Sequence, residues 1–331
     1  MEQNINRSGE TLLSIEHLSV SFKTPRQMLH AVEDVSFCVK TGEVLGVVGE
    51  SGCGKSVSSM SVLKLVQGDN VQYDAGRILF EGRDTLAMPE KELRKIRGKE
   101  ISVIFQEPMT ALNPLYTIGD QMGEVLKLHT RLSKREIGER CVEMLKKVKI
   151  PNAEEILLRY PHSLSGGMRQ RVMIAMALIA NPKLIIADEP TTALDVTIQA
   201  QVLDVMQSLR KEFGCSYIFI THDLGVISEM ADRVVVMYGG RVCETAPTDV
   251  LFGAPAHPYT KGLIASRPGC NMSADRLPVI PGNVPSLNNK PSGCPFHPRC
   301  PEATERCAKA FPAETEIAPG HTVACWKYLA E

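Results

Sequence analysis

Apolar and polar positions divide the chain into short strand-like runs separated by helical stretches. Residues 13–22 alternate in places, and residues 31–39 do so again, which is the two-residue period of half-buried antiparallel strands. Residues 44–48 (Val-Leu-Gly-Val-Val) form instead an unbroken, β-branched run, as expected of a strand buried in a parallel sheet. A helix is predicted over 57–65, with Val57, Met60 and Leu63 at helical spacing. Further strands are predicted over 77–81, 101–105, 183–188, 216–220 and 233–238, and helices over 88–97, 172–180 and 198–211. Residues 118–148 read as one helical stretch of mixed charge with no long glycine break, stopped by Pro151. Because this stretch interrupts the strand-rich pattern, it predicts an inserted helical subdomain.

Composition adds bounds. The 331 residues suit two domains or one elaborated domain, and 44% hydrophobic content supports a sizeable core. A formal net charge of −1 offers no general electrostatic basis for binding nucleic acid. The longest apolar run, 172–180, is too short to cross a bilayer, and the first ten residues are polar rather than signal-like. The expectation is a cytosolic chain whose link to any membrane goes through a partner.

The pattern acquires chemistry at Gly49-Glu50-Ser51-Gly52-Cys53-Gly54-Lys55-Ser56, which fits G-x-x-x-x-G-K-[ST] without mismatch and lies between a predicted strand and a predicted helix. That geometry aims successive backbone N–H groups at an anion. Lys55 is expected along the β- and γ-phosphates of a nucleoside triphosphate, and the Ser56 hydroxyl on its Mg²⁺. Cys53 occupies an x position where many small residues fit, and reads as a small residue rather than a redox switch.

Several strand ends carry polar groups. Residues 101–105 run into Gln106-Glu107-Pro108, which places Gln106 to enter a site. The strand over 183–188 ends in Asp188-Glu189, a carboxylate suited to Mg²⁺ followed by one suited to polarise an attacking water. Ser165-Gly166-Gly167 precedes a helix and forms another anion-accepting N-terminus. Phe22 is either core or a stacking partner for adenine, and His222 either structural or a contact to the γ-phosphate.

With these elements in this order, residues 12–250 resemble the ATP-binding subunits of ABC transporters. The most specific piece is Leu164-Ser165-Gly166-Gly167-Met168-Arg169-Gln170, which resembles the ABC signature. The resemblance implies an α/β fold: a P-loop nucleotide-binding domain with an antiparallel β subdomain and a helical subdomain at about 107–165. It makes residues 49–56 the Walker A loop, Gln106 the Q-loop glutamine and Asp188 the Walker B aspartate. It makes Glu189 the catalytic glutamate, Ala193-Leu194-Asp195 the D-loop, His222 the switch histidine and Phe22 the adenine-stacking aromatic. It also implies head-to-tail pairing, with ATP between the Walker A loop of one subunit and Ser165, Gly166, Gly167 and Gln170 of the other.

The segment 251–331 forms a C-terminal extension, and residues 1–11 a polar tail. Residues 256–263 (Ala-His-Pro-Tyr-Thr-Lys-Gly-Leu), 277–285 and 293–300 resemble the extension of the dipeptide, oligopeptide and nickel permease ATPases, as do residues 109–114. The resemblance implies a motor at the cytoplasmic face of the membrane, working with a second and different ABC ATPase subunit, two transmembrane permease subunits and an extracytoplasmic solute-binding protein. Peptide is the implied solute, with nickel or a nickel chelate as the alternative. A soluble ABC ATPase acting on DNA or ribosomes would call for a coiled-coil insertion, a tandem cassette or a basic tract, and the sequence has none. Cys294, Cys300, Cys307 and Cys325 cluster in the extension. Their spacing lacks the C-x2-C knuckle of structural zinc and leaves the metal open; the resemblance implies a [4Fe–4S] cluster.

Overall fold

The computed structural model describes residues 9–66, 68–192, 194–267 and 278–329. Ala193 of the expected D-loop, Leu277 and most of the polar tail lie outside them. The described strands are β1 (Thr11–Lys23), β2 (Met28–Lys40), β3 (Val44–Val48), β4 (Val71–Phe80), β5 (Arg83–Asp84), β6 (Ile101–Ile104), β7 (Leu184–Asp188), β8 (Ser216–Ile220), β9 (Arg233–Tyr238), β10 (Arg241–Pro247), β11 (Thr315–Ala318) and β12 (His321–Val323). They fall into two compact units. The first holds the described residues of 11–39, 44–87 and 220–331, and the second those of 9–10, 40–43 and 88–219.

In the first unit, β2, β1, β4 and β5 form an antiparallel sheet in that order. β1 pairs with β4 from Leu13 opposite Phe80 to Phe22 opposite Val71. The alternation in β1 is imperfect because the register shifts between Glu16 and Val20, where His17 takes φ 52° and its Nδ1 lies 2.7 Å from Asp34. The second sheet of this unit runs β11-β12-β10-β9-β3. All five residues of β3 are buried, as its unbroken apolar run requires, and β3 pairs in parallel with β9. The hairpin β11–β12 adds the C-terminal extension to the edge of this sheet through β10, with Glu244 opposite Val323.

In the second unit, β8, β7 and β6 lie side by side, and β6 pairs in parallel with β7, Ile101 opposite Leu184. Every residue of β7 and β8 is buried. The helical part departs from the single stretch expected over 118–148: it consists of two helices, Ile118–His129 and Lys134–Lys147. The break is local chemistry. Ser133 caps the second helix, its Oγ accepting from the Glu136 N–H at 3.4 Å while the Glu136 carboxylate accepts from the Ser133 N–H at 2.7 Å.

Other boundaries shift for similar reasons. The helix expected over 57–65 is Lys55–Ser61, and the one expected at 172 begins at Gly166 because Ser165 caps it. The strand expected over 77–81 is the end of the longer β4, whose first half is mostly exposed. Among the described residues no helix is long and apolar enough to cross a membrane.

Candidate functional site

The first unit carries the glycine loop. β3 ends at Val48 and the helix Lys55–Ser61 begins seven residues later, so residues 49–54 form the turn that the motif requires. Gly49 permits a close approach: a Cβ there would lie 2.2 Å from the Met237 carbonyl oxygen. Lys55 is 5% exposed and folded back over the loop, its Nζ donating to the carbonyls of Gly49 at 2.7 Å and Glu50 at 3.1 Å. The ammonium is thus already placed over the turn it is expected to share with a triphosphate. Ser51, Gly52 and Ser56 are exposed, while Cys53 and Gly54 are buried. Burial pushes the Cys53 thiol up, which disfavours the reactive thiolate and accords with a packing role.

His222 follows β8 and lines a cavity of about 260 Å³ with Gly49, Glu50, Asp223 and Arg267. Asp223 caps the next helix, accepting from the N–H groups of Gly225 and Val226. Phe22 is half-buried near the end of β1.

The second unit carries the carboxylates and the Ser-Gly-Gly turn. Asp188 is the last residue of β7 and is 8% exposed. Glu189 follows in the left-handed region, φ 45°, an uncommon backbone state for a non-glycine residue. Its Oε2 accepts from Gln106 Nε2 at 3.0 Å and from Thr192 Oγ1 at 2.9 Å, so two of the polar residues around the β6 and β7 ends converge on one carboxylate.

Ser165 caps the helix Gly166–Leu178, accepting from the Met168 N–H at 3.4 Å. Gly167 has a packing reason in addition: a Cβ there would meet Ile198 Cγ2 at 2.7 Å, so only glycine lets the helix Val196–Phe213 come this close. Gln170 is 1% exposed, turned into the unit rather than towards solvent, which its expected nucleotide contact did not foresee. Asp195 caps the helix Val196–Phe213 by accepting from the Ile198 N–H at 3.0 Å.

One group of contacts had no signal in the sequence. The Glu50 carboxylate, at the second position of the glycine loop, forms a two-pronged ion pair with Arg299, 249 residues away, and the Glu50 N–H donates to the Tyr259 hydroxyl oxygen.

Comparison with known proteins decides what this arrangement belongs to. The family described as "ABC transporter" matches residues 32–192, and "Oligopeptide/dipeptide transporter, C-terminal region" matches residues 243–307. The chain is 50% identical over 321 residues to the oligopeptide transport ATP-binding protein AppD of Bacillus subtilis (strain 168), covering 97% of this chain and 98% of that one. It is 47% identical over 325 residues to the oligopeptide transport ATP-binding protein OppD of Escherichia coli (strain K12), covering 98% and 96%. The chain belongs to the ABC transporter ATP-binding subunits of the oligopeptide and dipeptide type.

Among solved structures, the dimeric ATP-binding cassette MJ0796 bound to ADP and Pi aligns with a TM-score of 0.64 at 28% identity, covering 71% of this chain and 98% of that one. As a member of this ABC family the chain is an ATPase whose activity is coupled to transport, and ATP with Mg²⁺ is typical of its kind. Its fold is the α/β ABC fold, with the antiparallel sheet and helical part expected.

The iron–sulfur expectation is overturned. Cys294, Cys300, Cys307 and Cys325 line one cavity of about 600 Å³, yet among the described residues no group of three or more His, Cys, Asp or Glu side chains is placed to hold a metal ion. Burial pushes the Cys294 thiol up to about 11 and raises those of Cys300 and Cys325, whereas a metal ligand must be a thiolate. Thr304 instead contacts the Cys307 Sγ at 3.4 Å. The assignment of an iron–sulfur or other protein-bound metal group to these cysteines is withdrawn.

Proposed function

We propose that this ABC subunit hydrolyses ATP to drive uptake of dipeptides or oligopeptides through partner membrane permeases. The observation that carries this reading is the C-terminal region: residues 243–307 match the oligopeptide/dipeptide transporter region, and the likeness to AppD and OppD extends over nearly the whole chain. A chain that never touches the cargo reveals its transporter through the parts peculiar to that transporter.

In this reading residues 12–250 are the ATP-binding domain, and residues 251–331 an extension built onto its sheet. The loop of residues 49–54 receives the phosphates on its backbone N–H groups, and Lys55 turns from the carbonyls it now satisfies to the β- and γ-phosphates. Phe22 stacks on the adenine. Ser56, Gln106 and Asp188 would hold the Mg²⁺ that accompanies ATP, which would supply neutralisation of phosphate charge. Glu189, oriented by Gln106 and Thr192, takes a proton from the attacking water, and His222 contacts the γ-phosphate. Ser165, Gly166, Gly167 and Asp195 serve the site of a second ABC subunit, whereas Gln170, 1% exposed, packs inside its own unit. That subunit is a different chain, so that the motor is a heterodimer under two permease subunits on the cytoplasmic face, fed by a solute-binding protein outside. A γ-phosphate shared by two subunits closes the pair only while it is attached, which converts hydrolysis into movement.

The test uses the assembled transporter in lipid. Lys55→Ala is expected to abolish ATP binding and turnover. Glu189→Gln is expected to keep ATP binding while lowering hydrolysis at least about 100-fold. Unchanged turnover in the lysine variant would refute the site, and ATP-driven uptake of nickel in place of peptide would refute the solute.

A further inference from the structure

Glu50 is held at both its backbone and its side chain by the C-terminal extension. Its N–H donates to the Tyr259 hydroxyl oxygen at 2.8 Å, and Tyr259, on the helix Pro258–Ala265, is fully buried. Its carboxylate receives Arg299 Nη1 at 2.6 Å on Oε2 and Nη2 at 3.1 Å on Oε1. The Arg299 side chain is 5% exposed and has no slack: Nη1 also donates to the Tyr238 hydroxyl at 3.1 Å, and Nε to the Pro281 carbonyl at 2.9 Å. Around it Tyr238, Tyr259 and Phe296 pack edge to face or tilted, with ring centroids 4.6 to 5.3 Å apart. A surface ion pair contributes little, but a bidentate pair on a buried, fully engaged guanidinium fixes geometry.

The position of this pair gives it a consequence. Glu50 is the second residue of the phosphate loop, and its carbonyl is one of the two on which Lys55 rests. A carboxylate at this place opposes an incoming triphosphate unless its charge is neutralised, and a loop with a loose second residue aims its N–H groups poorly. We infer that Arg299, assisted by Tyr259, is a positioning residue for nucleotide binding, through which the C-terminal extension neutralises Glu50 and sets the shape of the phosphate loop. This rests on the reading of residues 49–56 as the ATP site. The extension thereby becomes part of the nucleotide machinery, in addition to being the mark of a transporter type. ATP affinity depends on the segment that carries Arg299 being folded in place.

The experiment uses the purified full-length chain with Mg²⁺, titrated with fluorescent N-methylanthraniloyl ATP and with the corresponding adenosine derivative. Arg299→Gln is expected to weaken the ATP analogue about tenfold, equivalent to about 1.4 kcal/mol, with the larger loss at low salt and little change for the adenosine derivative. Adding Glu50→Gln is expected to restore affinity to within about threefold of the wild type, because the uncompensated charge is gone. Arg299→Lys, which keeps the charge without the fork, should fall between. An unchanged ATP affinity in Arg299→Gln would overturn the inference. So would an equal loss for both ligands that Glu50→Gln does not restore, since the pair would then merely hold the extension. If Arg299→Gln does not fold, Arg299→Lys decides: a loss for the ATP analogue with little change for the adenosine derivative supports the inference, and unchanged ATP affinity contradicts it. Lys55→Ala serves as control, because wild-type ATP binding in that variant would fail the site itself and leave Arg299 without a role.

Discussion

His257 shows how one buried side chain writes a pH dependence into the extension. It is 2% exposed, and its Nδ1 accepts the Tyr259 N–H at 3.0 Å as the cap of the helix Pro258–Ala265, so the ring must be neutral at that nitrogen. Burial holds its pKa down to about 4, with Glu302 opposing and Lys261 adding to the shift. A folded value below the unfolded value of about 6.5 means that the unfolded chain binds the extra proton. The contribution is therefore complete above pH 6.5 and lost progressively as pH falls towards 4. Thermal unfolding followed from pH 7.5 to 5 is expected to show a falling midpoint. His257→Asn, which keeps an acceptor but cannot be protonated, should flatten that fall; an identical slope in both proteins would rule His257 out as its source. At this scale the sequence identified Lys55, Asp188, Glu189 and Gln106 as polar residues at strand ends or in a glycine turn, because those residue types are conspicuous there. It was silent about Arg299, since nothing in a local pattern announces a partner 249 residues away.

At the scale of elements, strands were easier to read than the interruptions of helices. β3, β7 and β8 are buried at every position, so each stands out as a short apolar run. The division between Ile118–His129 and Lys134–Lys147 was not anticipated, because neither proline nor glycine marks it and the chain stays helix-like in composition across it. The stop is the reciprocal Ser133–Glu136 capping box, a pattern of two residues easily passed over in a charged stretch. Ser133→Ala is expected to destabilise the helical part by about 1 kcal/mol, measurable as a lower denaturation midpoint with ATP affinity unchanged; full stability would mean that the box is incidental. Gly167 teaches a related lesson. The Ser-Gly-Gly run reads as an anion-accepting turn, while the contact with Ile198 shows that its second glycine also sets the distance between two helices.

For the whole molecule, the extension is the part whose importance changed most. In the sequence it is a segment rich in proline and cysteine that identifies a transporter type. In the structure it contributes β11 and β12 to the sheet of the first unit, and two of its histidines join the core: buried Glu244 accepts the N–H groups of Ala256 and His257 and lies 2.8 Å from His321 Nε2. If, as proposed, the Ser165 turn serves a second subunit, the isolated chain should hydrolyse ATP far more slowly than the assembled transporter. Steady-state turnover per site measured in both forms checks this, and equal rates would argue for a site complete within one chain. Taken by itself, the sequence determined the glycine turn between β3 and a helix, the buried runs of β3, β7 and β8 and the carboxylates at the end of β7, which are written in local periodicity and fixed spacing, and its motifs carried the resemblance to the family. Only tertiary structure decided that Glu50 is clamped by Arg299 and Tyr259, that Gln170 turns inwards, and that four clustered cysteines line a cavity without being gathered as metal ligands. Those outcomes depend on distances between residues remote along the chain, on which spacing in sequence places no constraint.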